Sequence, residues 1–430
     1  MQPLTKLFSK LLPTSNHSTF DDSLPRNVGK LKPDKHSGDP TLAWDKIKGK
    51  QNKQCVKPVD INLPVPDDRV RFVCISDTHT EWEQSGIHIP DGDILLHAGD
   101  MTMSGQKNEL EIVKKYLDSL PHKHKVVIAG NHDLSFDHKF MVNRIKNNYY
   151  TFDHKDFQMY LKKCGVRCTR DLFNDIYLED SMVKIYGINI YGSPWTPGSG
   201  FWGFQCCRGA QLMSKWNMVP NSTDVLLTHM PPLGYGDNIR EIFQKHVGCV
   251  DLLKTVQTRV KPAYHVYGHI HEGYGMRTDG TTIFVNAAVC DEDYNAVNSP
   301  IIFDIQLPKG VTKQSFGDNQ VEWVIPTETL ALYEEDIEIV FEDYQEFPDE
   351  GAVSTGGGGQ EGHEVLPTHA ETILNNVVSV LLQSDAESVS SESDVSRKSL
   401  DSCESQDRLD CAIGHEDSEY TLEDGGGGIH

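Results

Sequence analysis

Five short phrases in this chain each place a potential metal ligand directly after a run of apolar residues that favours a β-strand. Functional groups that follow strands in this way gather at the carboxyl edge of a sheet. The phrases therefore predict one shared site, built from distant parts of the chain. They are Ile75-Ser76-Asp77-Thr78-His79, Ala98-Gly99-Asp100, Ala129-Gly130-Asn131-His132-Asp133, Leu227-Thr228-His229 and Tyr267-Gly268-His269-Ile270-His271.

The side chains in these phrases combine carboxylate and amide oxygens with imidazole nitrogens. A mixed set of this kind suits manganese, iron or zinc better than calcium, which prefers oxygen ligands alone. Asp77 and His79 are two residues apart, so in an extended chain they share one face. The carboxylate of Asp100 can bridge two cations with its two oxygens. The sequence thus predicts a dinuclear site of the kind that activates water for attack on phosphorus.

Short strands alternate with helical or irregular stretches between Arg69 and Leu307, which is typical of an α/β domain. Helices are predicted over 108–119, where Leu110, Val113 and Leu117 share one face, and over 239–256. The predicted strands cover 70–75, 93–97, 125–129, 183–191, 224–228, 264–267, 281–285 and 301–305.

Charge is distributed very unevenly along the chain. Residues 331–430 contain 25 Asp and Glu against 3 Lys and Arg, while the net charge of the whole chain is -23. Residues 1–330 are therefore nearly neutral, which gives no support for nucleic-acid binding. The acidic, Ser- and Gly-rich tail is predicted to be largely disordered. Apolar residues at helical spacing from Ile373 to Leu381 fit a helix that docks on a protein partner, a helix that folds back on the domain, or no helix.

The first 59 residues are rich in Lys, Pro, Ser and Asn, and we expect them to be mostly disordered, ahead of one folded domain over residues 60–330. Apolar residues from Leu4 to Leu12 lie on one face of a short helix, which fits a membrane-surface or targeting segment as well as a helix docked on the domain. No apolar run approaches the ~20 residues of a membrane span. Cysteines without a regular framework, and the lack of a secretory signal, predict free thiols and a cytoplasmic location.

The five phrases match, in order, the motifs D-x-H, G-D, G-N-H-D/E, a lone H and G-H-x-H of the calcineurin-like metallophosphoesterase superfamily. The resemblance covers roughly Arg69 to Leu307, and five ordered motifs make it specific. Within the superfamily the chain is most similar to the metallophosphoesterase-domain-containing proteins of animals. The resemblance implies a four-layer α/β/β/α sandwich with the site at one edge.

The resemblance also implies a role for each motif residue. His132 would protonate the leaving oxygen or stabilise charge in the transition state, and Asp133 would hold this loop. Manganese is the expected metal, with iron or zinc as alternatives. The ligands form two groups joined by a bridging carboxylate: Asp77, His79 and His271 for one metal, Asn131, His229 and His269 for the other, and Asp100 between them.

The implied activity is hydrolysis of phosphoric esters, with diesters favoured and nucleotides as one candidate substrate class. Tyr294 and Asn295 are expected near a bound nucleotide. The aromatic stretch that contains Trp195 and Trp202 fits either stacking on a base or local packing. Contacts to the phosphate are expected from Asn131, His132 and His229.

Two other functions stay open at this point. A phosphomonoesterase or phosphoprotein phosphatase is less favoured, because the sequence lacks the arginine motif with which protein phosphatases surround their site. A nucleotide-binding or scaffold protein with little activity would instead use the acidic tail to engage protein partners. Measurable turnover with saturating metal would distinguish the two enzyme functions from this scaffold function.

Overall fold

The computed structural model describes residues 30–81, 86–146, 154–166, 168–198, 200–239, 245–317 and 320–324. The helices in these ranges are α1 (Pro40–Ile47), α2 (Lys107–Ser119), α3 (His138–Lys146), α4 (His154–Lys163), α5 (Ala210–Trp216) and α6 (Val250–Lys254), which continues as a π-helix over Thr255–Val260. Single turns of 3-10 helix lie at Lys48–Lys50, Leu134–Phe136, Thr169–Leu172, His271–Gly273 and Lys313–Phe316.

The strands are short and belong mainly to two large sheets. In chain order they are β1 (Gln54–Val56), β2 (Arg69–Ile75), β3 (Ile94–Ala98), β4 (His124–Ile128), β5 (Ile176–Tyr177), β6 (Ser181–Ile185), β7 (Ile188–Ser193), β8 (Thr196–Pro197), β9 (Gln205–Cys206), β10 (Val225–Thr228), β11 (Asn238–Ile239), β12 (Lys245–His246), β13 (Tyr264–Tyr267), β14 (Gly275–Thr278), β15 (Ile283–Asn286), β16 (Ile301–Gln306) and β17 (Val321–Val324).

The order of the strands brings the five sequence phrases to one place. One sheet has the order β16-β2-β3-β4-β5, and the other has the order β1-β14-β15-β13-β10-β7-β6-β17. Strands β2, β3 and β4 run parallel, as do β10 and β13. Their carboxyl ends therefore lie at matching edges of the two sheets, and the potential ligands follow these ends directly.

The core lies between the two sheets and continues beneath the helices. Phe72 and Leu96 of the five-stranded sheet pack in one buried cluster with Leu227 and Val266 of the eight-stranded sheet. On the other face of the five-stranded sheet, alternate residues pack with Leu110 of α2 in a second cluster. Apolar burial of this extent on both faces is the main source of the fold's stability.

The outer face of the eight-stranded sheet is buried as well, since Tyr191, Leu226 and His265 have no solvent exposure. Helix α5 contributes the buried side chain of Trp216, whose indole donates to the sulfur of Cys249 at the start of α6. The protein therefore has the mixed α/β architecture that the sequence predicted, with sheets at the centre and helices outside.

Two of the predicted elements are wrong in detail. The strand predicted over 183–191 is a hairpin, because Tyr186 and Gly187 take φ values of 52° and 78° and turn the chain between β6 and β7. The helix predicted over 239–256 begins only at Val250. Asp237 accepts hydrogen bonds from the backbone of Val247 and Gly248, beside the antiparallel pairing of β11 with β12; residues 240–244 lie outside the described residues.

Ordered structure begins ahead of residue 60, where the sequence placed the start of the folded domain. Helix α1 starts at Pro40, and β1 pairs antiparallel with β14. The Ser37 hydroxyl donates to Asp251, 2.7 Å away, so this segment is tied to α6. The proposed helices at 4–12 and 373–381 lie outside the described residues.

Two further sequence expectations concern the same described residues. Within them, no helix is both long and apolar enough to cross a membrane. Their cysteines are free thiols, which agrees with the absence of a disulfide framework in the sequence.

Candidate metal centre

Two groups of potential metal ligands lie next to each other at the meeting edge of the sheets. Within each group the candidate donor atoms lie within 4.8 Å of one another. All six side chains come from segments that follow β2, β3, β10 or β13 within four residues, as the spacing predicted. The groups are Asp77, His79 and His271, and Asp100, His229 and His269.

The carboxylate of Asp100 lies between the two groups. Its Oδ2 is 3.1 Å from Nε2 of His229 and 3.9 Å from Nε2 of His79. Its other oxygen accepts the backbone N–H of His132 at 2.8 Å. Asn131 adds an amide oxygen to the second group, with Oδ1 3.1 Å from Nε2 of His229. One oxygen of Asp100 thus faces both groups while the other is fixed by the backbone.

Main-chain carbonyls fix the orientation of four imidazoles. A carbonyl oxygen only accepts hydrogen bonds, so each ring nitrogen that faces one must carry a proton. Each ring uses Nδ1, which leaves the lone pair of the neutral ring on Nε2, pointing into the site. The Nδ1 to carbonyl distances are 3.3 Å from His79 to Thr102, 2.8 Å from His132 to Met103, 2.8 Å from His229 to Ala98 and 2.6 Å from His271 to Asp291.

This orientation fits a bound cation in the first group. The Nε2 atoms of His79 and His271 lie 3.4 Å apart, and each would present a lone pair to the other if both rings were neutral. Nε2 of His271 is also 3.5 Å from Oδ1 of Asp77. Buried ligand atoms whose lone pairs converge, with no hydrogen bond between them, need a cation or extra protons in the space that they face. The residues present therefore fit the divalent metals that this donor set predicts.

The protein supplies those protons in the absence of metal. Burial alone would lower the pKa of His229, but the carboxylate of Asp100 raises it to about 9. Burial likewise opposes the charged form of His271, yet its hydrogen bond to Asp77 raises the pKa to about 9. By contrast, burial lowers the pKa of His79 to about 4 and that of His269 to about 3. Two histidines are thus charged and two neutral at neutral pH without metal.

Three glycines allow the close approach of chain segments in this site. A Cβ on Gly130 would lie 2.5 Å from the backbone nitrogen of Asp100, and one on Gly268 would clash with the carboxylate of Asp77. A Cβ on Gly99 would lie 2.7 Å from Nδ1 of His229. These positions require glycine because the neighbouring atoms are backbone or candidate ligands.

Several site residues other than glycine have left-handed backbone conformations. The φ angles of Asp77, His79, Asp100 and His269 are 52°, 43°, 53° and 69°. Such conformations are costly for residues with a Cβ and cluster at functional sites, where surrounding contacts hold them. One such contact is visible at His269, whose backbone N–H donates to Oδ1 of Asp77 at 2.9 Å.

Asp133, which the sequence assigned to a structural role, joins the loops that carry the candidate ligands. Its buried carboxylate accepts the backbone N–H groups of Met101, Thr102 and Gly130 and the hydroxyl of Thr102. Burial and the nearby charge of Asp100 raise the pKa of Asp133 to about 6. These contacts place Asp133 as a support of the Asp100 and Asn131 loops.

The predicted substrate contacts differ in their surroundings. The Tyr294 ring lies edge-on to the rings of His79 and His271, with centroid distances of 4.8 Å and 5.4 Å. Asn295 instead donates to Asp291 through both its backbone and its side chain. Tyr294 therefore lies in the site, whereas the described contacts of Asn295 shape the loop.

Some functional contacts have no distinct sequence signal. Trp202 lies over the ring of His132, with centroids 4.1 Å apart, although the sequence indicated only that this stretch is aromatic. The carbonyl of Met103 orients the same histidine, and a backbone carbonyl leaves no trace in residue type. Glu109 at the start of α2 accepts from the N–H groups of Met103, Ser104 and Gln106 and so holds that carbonyl in place.

Comparison with known proteins shows which family the chain belongs to. Residues 70–273 match the family model described as calcineurin-like phosphoesterase. The chain belongs to the calcineurin-like metallophosphoesterase family, whose domain type is that of a metal-dependent phosphoester hydrolase.

Relatives with high similarity have been described in animals. The chain is 44% identical over 283 residues to human metallophosphoesterase domain-containing protein 1. The aligned residues cover 64% of this chain and 85% of the human protein. The mouse protein of the same name gives the same values. A UPF0046 protein of Caenorhabditis elegans is 44% identical to the chain over 289 residues. The aligned residues cover 66% of this chain and 72% of the nematode protein.

Proposed function

We propose that the protein is a phosphodiesterase that uses a dinuclear site of divalent metals. Asp100 would bridge the two ions, and His132 would act on the leaving group. The remaining ligands would be Asp77, His79 and His271 on one ion, and Asn131, His229 and His269 on the other.

The single observation that carries this proposal is the approach of His79 and His271. Their Nε2 atoms are 3.4 Å apart, and both rings give their Nδ1 protons to carbonyls. Two fixed and buried imidazoles whose Nε2 atoms converge gain most from a shared cation, because neither ring can turn its Nδ1–H towards the other. The same Nδ1 arrangement at His229 extends the argument to the second group.

Two bound divalent ions would supply Lewis acidity, an activated water and a clamp on phosphate oxygens. The chain's own residues would orient the substrate and manage a proton. The His132 ring gives Nδ1–H to Met103 and keeps Nε2 for the leaving oxygen. Its backbone N–H donates to Asp100, so the loop of the proposed acid and the loop of the proposed bridge are joined directly.

The charge around the site favours a diester over a monoester. A diester carries one negative charge and a monoester dianion carries two, so the second needs more compensating positive charge. In the described residues, the largest charge effects on the pKa of Asp77, His79, Asp100 and His269 come from other aspartates and histidines, with no lysine or arginine. Glu272 follows His271 directly in the chain and adds a further acidic residue beside the site, whereas Asp291 contacts His271 through its backbone carbonyl.

Finer assignments rest on this proposal. A nucleotide diester fits the aromatic surroundings, because Tyr294 is 37% exposed and could stack on a base at the mouth of the site. Asn131, His132 and His229 would contact the phosphate. Manganese remains the metal we expect. The cytoplasmic location and a protein partner for the acidic tail also stay predictions.

The test compares hydrolysis of bis-p-nitrophenyl phosphate and p-nitrophenyl phosphate by metal-stripped protein supplied with Mn²⁺. We expect manganese-dependent cleavage with the diester preferred, and loss of at least ~100-fold in Asp100→Asn. The matched control is Asp118→Asn, which alters an exposed acid of α2 that pairs with Lys114. A preference for the monoester would favour the phosphatase alternative. Folded, metal-loaded protein that binds a nucleoside monophosphate but cleaves neither ester would favour the scaffold alternative.

A further inference from the structure

An exposed tryptophan covers the ring of His132. The centroids of Trp202 and His132 are 4.1 Å apart, with an angle of 35° between the ring planes, while Trp202 is 39% exposed to solvent. We propose that Trp202 is a positioning residue for His132 and keeps its Nε2 aimed at the leaving oxygen. This inference rests on the proposed function, since it concerns how His132 would do its work.

The loop that carries Trp202 is anchored by hydrogen bonds of its own. Oε1 of Gln205 accepts the backbone N–H groups of Gly200 and Trp202, at 3.1 Å and 3.2 Å. The N–H of Phe204 donates to the buried carboxylate of Asp137 at 2.7 Å. A loop fixed on both sides of the tryptophan holds the indole in place, so its contact with His132 is not the collapse of a free side chain.

The same loop is joined to the catalytic segment. Gly203 donates its N–H to the carbonyl of Asn131, 3.0 Å away, one residue before His132. The indole and the imidazole are therefore carried by two segments that hydrogen-bond to each other directly beside the two rings. This link fixes the distance between the two segments at that point.

Among the described residues, the His132 ring has one other hydrogen bond and two further ring contacts. Nδ1 donates to Met103, and the rings of His79 and Tyr294 lie edge-on at centroid distances of 4.9 Å and 6.2 Å. One hydrogen bond allows an imidazole to rock about the bond axis. The Trp202 face blocks this motion on one side and keeps water from that face. Without the indole, Nε2 would sample orientations from which it cannot reach the leaving oxygen.

The step that depends on this geometry is a proton transfer. Water attacks phosphorus and forms a new P–O bond while the bond to the leaving oxygen breaks. That oxygen takes the proton from Nε2 of His132, and the ring becomes neutral and keeps Nδ1–H on Met103. The proton released by the attacking water goes to solvent, which later restores the proton on Nε2. Leaving groups of high pKa need this proton, whereas activated phenols leave without it.

The test uses a series of aryl methyl phosphate diesters, from p-nitrophenyl to phenyl, with Trp202→Ala, Trp202→Phe and His132→Asn. Trp202→Ala should cleave the p-nitrophenyl ester within about threefold of wild type and the phenyl ester roughly tenfold or more slowly. Trp202→Phe should recover most of the loss, because a planar ring remains over the imidazole. The matched control is Phe201→Ala, which removes the neighbouring aromatic side chain, 65% exposed.

A double substitution separates positioning from general damage. If Trp202 acts only through His132, Trp202→Ala combined with His132→Asn should be no slower than His132→Asn alone. Losses that multiply would overturn the inference, as would an equal loss on every ester. If wild type cleaves none of the diesters, the proposed function fails and this inference falls with it.

A measurement without turnover checks the same contact. Diethyl pyrocarbonate modifies accessible imidazole nitrogens, and mass spectrometry locates the product. We expect faster modification of His132 in Trp202→Ala than in wild type or Phe201→Ala. Equal rates in the three proteins would contradict the covering of His132 by Trp202.

Discussion

Nδ1 of His229 lies 2.8 Å from the carbonyl oxygen of Ala98, and this hydrogen bond joins the two sheets. Ala98 ends β3 in the five-stranded sheet, whereas His229 directly follows β10 in the eight-stranded sheet. The candidate centre is therefore built across a seam between two separate sheets. Whatever binds there also holds the sheets together, which connects ligand binding to stability.

Metal binding should stabilise the folded protein. Protein stripped with a chelator should unfold at a lower temperature than protein with Mn²⁺, and at about 100 times the dissociation constant the gain should be ~2.7 kcal/mol. Asp100→Asn should lose most of this gain, because the bridging carboxylate is gone. Differential scanning calorimetry with metal analysis of the dialysed protein gives both quantities. An undiminished metal-dependent gain in Asp100→Asn would show that Asp100 is not a ligand.

Gly130→Ala should impair activity more than the addition of one methyl group implies. The new Cβ would lie 2.5 Å from the backbone nitrogen of Asp100, so Asp100 must move. A shift of ~1 Å in a candidate ligand costs on the order of 100-fold in rate. Gly49→Ala is the matched control, since its Cβ would approach no atom within 4 Å. The measurement is the steady-state rate of diester hydrolysis by both variants. Similar rates would show that a Cβ at residue 130 does not displace Asp100.

The segment ahead of residue 60 should contribute to the stability of the domain. Nζ of Lys53 donates to the carbonyl of Gly234 at 2.9 Å and lies over the ring of Trp44, which itself covers Gly234. A chain that begins at residue 60 loses these contacts together with β1. We expect its thermal midpoint to lie roughly 5 °C or more below that of a chain that begins at residue 30. Equal thermal midpoints would show that the folded domain begins near residue 60.

Acid should destabilise the protein partly through His265. Burial lowers the pKa of His265 to about 3. The unfolded chain, with a pKa near ~6.5, then binds a proton that the folded protein does not bind. Stability is therefore lost as the pH falls from about 6.5 towards 3. His265→Phe removes this titration and should reduce the loss of unfolding free energy between pH 7 and pH 4 by about 3 kcal/mol.

Urea unfolding at several pH values measures this effect. The variant keeps an aromatic ring beside Tyr267. Thr228 retains a partner because its hydroxyl donates to Met230. His88→Gln, at an exposed position, is the control for loss of a histidine. Identical pH dependence of wild type and His265→Phe would show that His265 has no such role.

The sequence was most informative where residue type and strand position coincide. A strand followed directly by Ser76-Asp77-Thr78-His79 places the carboxylate and imidazole at the carboxyl edge of a sheet, because groups that follow strands gather there. The same holds for Asp100, Asn131 and His229. The extended chain expected between Asp77 and His79 is not found, since their φ values are 52° and 43°. Apolar runs of five or more residues likewise predicted the central strands to within about two residues. The predicted strand over 183–191 failed because two residues with positive φ interrupt a stretch rich in Val, Ile and Tyr.

The sequence by itself determined the family, the strands and the set of candidate ligands, since these depend on local pattern and on ordered motifs. Only the tertiary structure decided which nitrogen of each histidine faces the site. Backbone carbonyls fix the rings, and every residue type has the same carbonyl, so the sequence does not show which ones do so; here they belong to Ala98, Met103, Thr102 and Asp291. The tertiary structure also decided that Trp202 covers His132, a contact between residues 70 positions apart in the chain. Contacts of this kind depend on how the two sheets and their loops pack, and local sequence does not encode that packing.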